Sequence, residues 1–228
     1  RDWSVTGVQT CALPISCLEL GGDPADCAIG EGAKAKKAGQ AIFSAEEWVG
    51  LQLFMGENDN DGVLGKKEGA MCAACHVAEW TPAAGNVIVP EWAPAGMVPP
   101  VFTDFTYDNL GVPKNTAFPL SPDAPVDLGL GAVVDDVEEN GKFKVMTLRN
   151  IGLTEPYAHN GFFLTLKEIT HFYNTRDVPG SLKKGADWPE PEYPYTMNVD
   201  ELGNLGLSDD HEDAIVEFMK TLSDGWTP

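Results

Sequence analysis

Apolar residues fall into three helix-spaced clusters, separated by long stretches broken by proline and glycine. The first cluster, Trp48, Leu51, Leu53 and Phe54, follows Ser44-Ala45-Glu46-Glu47. Serine three residues before glutamate is a capping box, in which each side chain satisfies the other residue's backbone N–H. A helix is predicted from there to Gly56, a residue suited to a left-handed stop. Thr165-Leu166-Lys167-Glu168 repeats the box and predicts a second helix through Tyr173. The third cluster, Ala214, Ile215, Phe218, Met219 and Leu222, lies on one face of a helix opening at Ser208 and ending before Gly225. Between these, residues 57–68 read as a charged loop. Residues 77–141 mix many Pro and Gly with Trp80, Trp92, Phe102, Phe105 and Tyr107. That stretch is too apolar for disorder and too broken for regular elements, so an ordered wrap is expected. Lys142 to Leu153 reads as a short strand or turn leading into a helical turn, and residues 175–207 as another Pro-rich loop. Residues 17–43 are small, polar and Gly-rich, the composition of a lead-in arm.

Bulk composition narrows the class. The chain has 228 residues, 43% of them hydrophobic, with six Trp, enough for one good core. No apolar run approaches the length of a membrane-spanning helix. The net charge of −20 argues against nucleic acid and against anionic membrane surfaces as partners. It suits either steering of a basic protein partner or plain solubility. Val5 to Ile15 resembles the translation of a sequencing-library adapter, so residues 1–16 are set aside as an artefact. The expectation is that the natural N-terminus lies elsewhere, and that a missing signal peptide says nothing about location. Of five Cys, removing Cys11 leaves Cys17, Cys27, Cys72 and Cys75. Cys17 and Cys27 stand ten apart and are open to a disulfide in an oxidising compartment.

Cys72-Ala73-Ala74-Cys75-His76 carries the chemistry. Two cysteines three apart, followed at once by histidine, form the c-type haem attachment pattern. The two thiols reach the two vinyl groups on one porphyrin edge, and the next residue brings an imidazole to the iron. A thioredoxin-like CxxC would need a βαβ context, and a zinc site a second CxxC or a His pair; neither is visible. With three or four helices, little strand and long loops around one cofactor, the fold class expected is mainly α, a cytochrome c-like haem domain over residues 44–228 with long ordered loops.

Residues 141–161, Gly-Lys-Phe-Lys-Val-Met-Thr-Leu-Arg-Asn-Ile-Gly-Leu-Thr-Glu-Pro-Tyr-Ala-His-Asn-Gly, resemble the signature of bacterial di-haem cytochrome c peroxidases and their MauG-like relatives. So do Phe102-Thr103-Asp104-Phe105, Asn109-Leu110-Gly111-Val112-Pro113 and the closing helix from Leu207 to Leu222. Met146 departs from the family, which usually has Pro there. The likeness is to the C-terminal haem domain alone. It implies a periplasmic peroxidase-type oxidoreductase in which this chain is the electron-transfer half. An N-terminal haem domain, absent here, would meet hydrogen peroxide, and a small cytochrome c or cupredoxin would donate electrons.

The resemblance also implies site residues. In the peroxidases a Met fourteen residues after the signature His binds the C-terminal iron, and fourteen residues after His159 stands Tyr173. Tyrosine there is similar to the MauG-type arrangement. A thioether favours ferrous iron, whereas a phenolate favours ferric and higher states. Tyr173 is thus a candidate distal ligand, with a packed aromatic beside Ile169 and Phe172 as the alternative. Met146, Met197 and His171 are rivals, and Met219 reads as core packing. Arg149 is a candidate for a haem propionate, or else a surface ion pair. The backbone carbonyls of Thr154 and Pro156 are implied calcium ligands. His159 either lines the pocket or is structural, and His211 is expected to be solvated. Glu57 to Glu68 has the spacing of an EF-hand calcium loop, but with Glu at position 1 and little room for an exit helix, so an acidic turn is the plainer reading. Side-chain oxidation of a protein substrate, as in MauG, and a non-enzymatic mono-haem electron carrier remain as alternative functions.

Overall fold

The computed structural model describes residues 44–56, 69–79, 81–82, 97–98, 100–117 and 125–223. The expectations for residues 1–43, for Cys17 and Cys27, and for the 57–68 loop lie outside them. The chain forms two compact units, one of Arg1–Asp104, Thr147–Leu153 and Asp213–Pro228, the other of Phe105–Met146 and Thr154–Glu212.

In the first unit, helix α1 (Ala45–Met55) opens on the capping box foreseen for it. Ser44 N donates to Glu47 Oε2 at 2.6 Å and Glu47 N to Ser44 Oγ at 3.2 Å. It stops at Gly56, whose φ of 75° lets its N–H close onto Gln52 and Leu53 carbonyls. Leu51, Leu53 and Phe54 are buried. Phe218 of the closing helix packs against Phe54, ring centroids 5.1 Å apart, and Ala214, Ile215 and Leu222 are buried as well. A Cβ on Gly50 would collide with the Ala214 carbonyl and lie 2.8 Å from Phe218 Cβ. Glycine is required there because the two helices meet backbone to backbone. Asn150 N donates to Leu222 O at 2.9 Å, joining the 147–153 segment to the same helix end. Two short strands, β1 (Thr81–Pro82) and β2 (Met97–Val98), pair antiparallel.

The second unit pairs β3 (Tyr107–Asp108) with β4 (Phe143–Lys144). It also holds α2 (Leu130–Val134) and α3 (Leu166–Thr175). Helix α3 is capped by Thr165 and Glu168 as expected, and runs two residues beyond Tyr173. Its Phe172 packs edge-on to Trp188 at 5.2 Å and against Phe163 at 4.9 Å. Buried Arg176 grips Asp177 with two bonds of 2.6 and 2.9 Å and the Leu110 carbonyl at 2.9 Å. Helix α4 (Asp209–Lys220) gives its first turn to this unit and the rest to the first.

Two sequence expectations need correction. The stretch 77–141 does carry regular elements: α2, three of the short strands and a 3-10 turn at Val137–Glu139. At two to five residues each, they are shorter than any periodicity window can register. His211 is half-buried rather than solvated, and its backbone N–H donates to Ser208 Oγ at 3.2 Å in the first turn of α4.

A candidate haem-attachment turn

Cys72–Ala74 form one 3-10 turn that widens into an α-type closure. Ala74 N reaches Met71 O at 3.0 Å, Cys75 N reaches Cys72 O at 3.3 Å, and His76 N reaches the same oxygen at 2.8 Å. Helical closure sets residues three and four apart on one face, so Cys72, Cys75 and His76 project together. The turn is entered through Met71 in the left-handed region (φ 52°), and Ala70 N is fastened to Leu53 O at 2.8 Å. Helix α1 thereby fixes where the motif begins.

The imidazole is oriented from the other side of its ring. His76 Nδ1 lies 3.1 Å from the Phe102 carbonyl oxygen. A carbonyl can only accept, so Nδ1 carries the proton and Nε2 keeps a lone pair for a metal. Phe102 is fully buried, in the left-handed region at φ 54°, with its ring edge-on to Phe54 at 6.2 Å. Asp104 N donates to Cys75 O at 2.9 Å. The 102–104 segment therefore braces the C-terminal end of the motif, at Cys75 and His76. Burial pushes the Cys72 thiol up to about 12, with Cys75 adding to it and a backbone hydrogen bond opposing. The residue as a whole is half-buried, and the raised value favours the neutral thiol over the thiolate. Met71 and Val101, flanking the turn and its brace, are large exposed apolar side chains, a surface that a flat apolar ring would cover. Donor set, tautomer and apolar flanks all fit a haem that Cys72, Cys75 and His76 would hold.

Arg149 is half-buried, and its Nε donates to the Pro100 carbonyl at 2.8 Å. Tyr173 sits half-buried on α3, where its carbonyl accepts from Gly203 N at 2.6 Å. Of its rivals, His171 has both ring nitrogens engaged, Nδ1 with Glu212 Oε1 at 2.9 Å and Nε2 with Ser181 O at 3.2 Å. Met197 Sδ occupies the space a Cβ on Gly111 would need. Met146 is exposed, and Met219 is buried in the core as packing. Thr154 and Pro156 lie exposed on either side of Glu155. Two carbonyls fall short of the six to eight oxygens calcium takes, and no group of three His, Cys, Asp or Glu gathers among the described residues.

His159 is structural. Its ring stacks on Phe143 at 3.6 Å and 7°, and Nε2 lies 3.4 Å from Glu192 Oε2. Its backbone is open, but the side chain is only 14% accessible. Burial holds the imidazole below its ordinary value, with Glu192 and then Asp127 pulling the other way.

Two features escaped the sequence reading. The Phe102 carbonyl has no sequence signal, since every residue carries one. Glu212 had one. It stands on the α4 face that also carries Ile215, Val216 and Met219, and a carboxylate in an apolar register demands partners. Those partners are His171, Asn174 Nδ2 at 2.6 Å and Lys167 Nζ at 3.2 Å.

No protein-family model matches the chain. In sequence it is 40% identical over 135 residues to the methylamine utilization protein MauG of Paracoccus denitrificans (strain Pd 1222). That match covers 54% of this chain and 35% of MauG. It is 29% identical over 143 residues to the cytochrome-c peroxidase IdrP2 of Denitromonas iodatirespirans, covering 54% of this chain and 34% of IdrP2. In structure it superposes on a variant of the diheme peroxidase BthA of Burkholderia thailandensis E264 with a TM-score of 0.58 and 27% identity. That superposition covers 81% of this chain and 43% of BthA. Over the matched region the chain is similar to MauG and to di-haem peroxidases. That likeness accords with the mostly helical fold and its short two-stranded pairings. The chain spans about a third of the length of the curated relatives it matches.

Proposed function

We propose that this chain is the covalent haem c, electron-transfer domain of a di-haem peroxidase, supporting the reduction of hydrogen peroxide. The hydrogen bond from His76 Nδ1 to the Phe102 carbonyl carries the reading, because it readies Nε2 for iron beside two thiols on the same turn. When bound, the haem supplies one-electron redox chemistry. Cys72 and Cys75 would anchor it by thioether bonds, His76 would ligate it, and the Arg149 guanidinium would neutralise a propionate. Tyr173 is the distal ligand in this proposal. A second haem domain would meet peroxide, and a small cytochrome c or cupredoxin in the periplasm would supply electrons. Among the described residues no helix is long and apolar enough to cross a membrane. Any calcium at Thr154 and Pro156 would need further oxygen ligands beyond those two carbonyls.

A second reading, MauG-like oxidation of a protein side chain, is favoured by tyrosine rather than methionine at position 173 and by the 40% identity to MauG. Electron paramagnetic resonance of the ferric chain tests the ligand. A phenolate signature lost in Tyr173→Phe is expected, and an unchanged spectrum overturns the assignment. Peroxide turnover is expected to be negligible for the haem-loaded chain alone, and rapid turnover would sink the division of labour.

A further inference from the structure

Pro100, Val101 and Phe102 present three successive carbonyls, each with a partner. Arg149 Nε donates to Pro100 O at 2.8 Å, and Thr147 Oγ1 donates to Val101 O at 2.5 Å. The third carbonyl, Phe102 O, goes to His76 Nδ1. Between the second and the third the backbone enters the left-handed region, with Phe102 at φ 54°. A phenylalanine there is strained, and such strain persists only where the surroundings over-determine it. After Phe102 the fixed point is Asp104 N on Cys75 O. Before it the fixed points are the two side-chain bonds, and that of Thr147 is the nearer. The Thr147 hydroxyl is itself aimed. It accepts from Arg149 N at 3.2 Å, a local turn that leaves its own proton for Val101. The segment behind it is anchored. Leu148 and Ile151 are buried, and Asn150 N reaches Leu222 O at 2.9 Å.

We infer that Thr147 is a positioning residue for His76, acting through Val101 to hold the Phe102 carbonyl against the imidazole Nδ1–H. The inference rests on the haem reading above, because the bond it controls sets the character of the axial ligand. A firm hydrogen bond from Nδ1 makes the imidazole a more basic ligand, and a more basic ligand favours ferric iron. Slackening the Phe102 peptide weakens that bond and raises the reduction potential. The carbonyl belongs to the backbone, so substitution cannot remove it. The side chains that can move it stand one step away, and Thr147 is exposed at that step, where a change of side chain disturbs no core.

The test uses the haem-loaded full chain with Thr147→Val, which keeps the shape and removes the hydroxyl, and Thr147→Ser, which keeps the hydroxyl. Thr147→Val is expected to raise the potential in a spectroelectrochemical titration. It is also expected to quicken exchange of the His76 Nδ1 proton about tenfold by NMR, the loss of one hydrogen bond's worth of protection. Thr147→Ser is expected to show wild-type values of both. Should Thr147→Val not fold, Thr147→Ala carries the same two readouts. A hydroxyl-free variant that loses stability to urea but keeps the wild-type potential and proton exchange overturns the proposal and leaves Thr147 a loop anchor. The ring-nitrogen shifts of His76 report its tautomer with or without iron. A wild-type chain that holds the Nδ1-protonated form yet takes up no haem overturns the haem reading, while loss of that form in Thr147→Val still supports the positioning role.

Discussion

The Cys72–His76 turn and helix α3 are both small, and they are held in opposite ways. The turn is held by backbone: Leu53, Met71, Cys72 and Phe102 carbonyls and the Asp104 N–H supply its fixed points. Helix α3 is held by side chains. Its cap is Thr165 with Glu168, and its polar edge is tied down by the buried carboxylate of Glu212. Backbone bracing makes a site's geometry independent of most substitutions in it. Side-chain bracing concentrates risk in single residues, because each deletion leaves a buried partner unsatisfied. A group that must be chemically joined to a cofactor gains from the first arrangement.

That contrast can be broken from either side. Phe102→Ala should cost the most, about 4 kcal/mol for an emptied core position, by urea denaturation. The carbonyl that orients His76 nevertheless survives, so the His76 ring resonances should keep their Nδ1-protonated tautomer by NMR. Loss of that tautomer would show that the Phe102 side chain, and not the backbone, does the bracing. Glu212→Ala strands His171, Asn174 and Lys167 and should cost about 3 kcal/mol. Calorimetry showing less than a third of that would mean the α3 network is dispensable. Gly50→Ala drives a methyl into the Ala214 carbonyl. Overpacking of about 2 kcal/mol should outweigh the usual helical gain from alanine, seen as a lowered thermal midpoint. Thr165→Ala removes one cap and should cost about 1 kcal/mol, with amide exchange quickened in the first turn of α3 only.

The smallest effect is on pH. His159 titrates lower when folded than the 6.5 of the free side chain. The unfolded chain therefore takes the proton first, and the stability present at neutral pH drains away as pH falls from 6.5 towards the folded value. His159→Gln should flatten the urea midpoint between neutral and mildly acidic pH, and an unchanged slope would assign the acid sensitivity to carboxylates instead.

Where a signal was local, it was legible. Both capping boxes, the Gly56 stop and the amphipathic face of α4 are encoded within one or two turns of chain, and the structure has them. The haem motif was legible because thioether chemistry dictates its spacing. Features built from backbone left no trace: the Phe102 carbonyl could have belonged to any residue, and α2 has five residues with no periodic pattern. Side-chain choice at position 173 raised a question that the sequence could frame only through relatives.

Gly50 and Ala214 touch although 164 residues separate them in sequence. Among the described elements, α4 is the last to be synthesised. Helix α1 therefore acquires its packing partner only after α4 has been made, and the loop that closes at that contact contains Cys72, Cys75 and His76. Closing so long a loop is slow and entropically costly, so consolidation of the α1 face waits on the most distant contact in its own sequence.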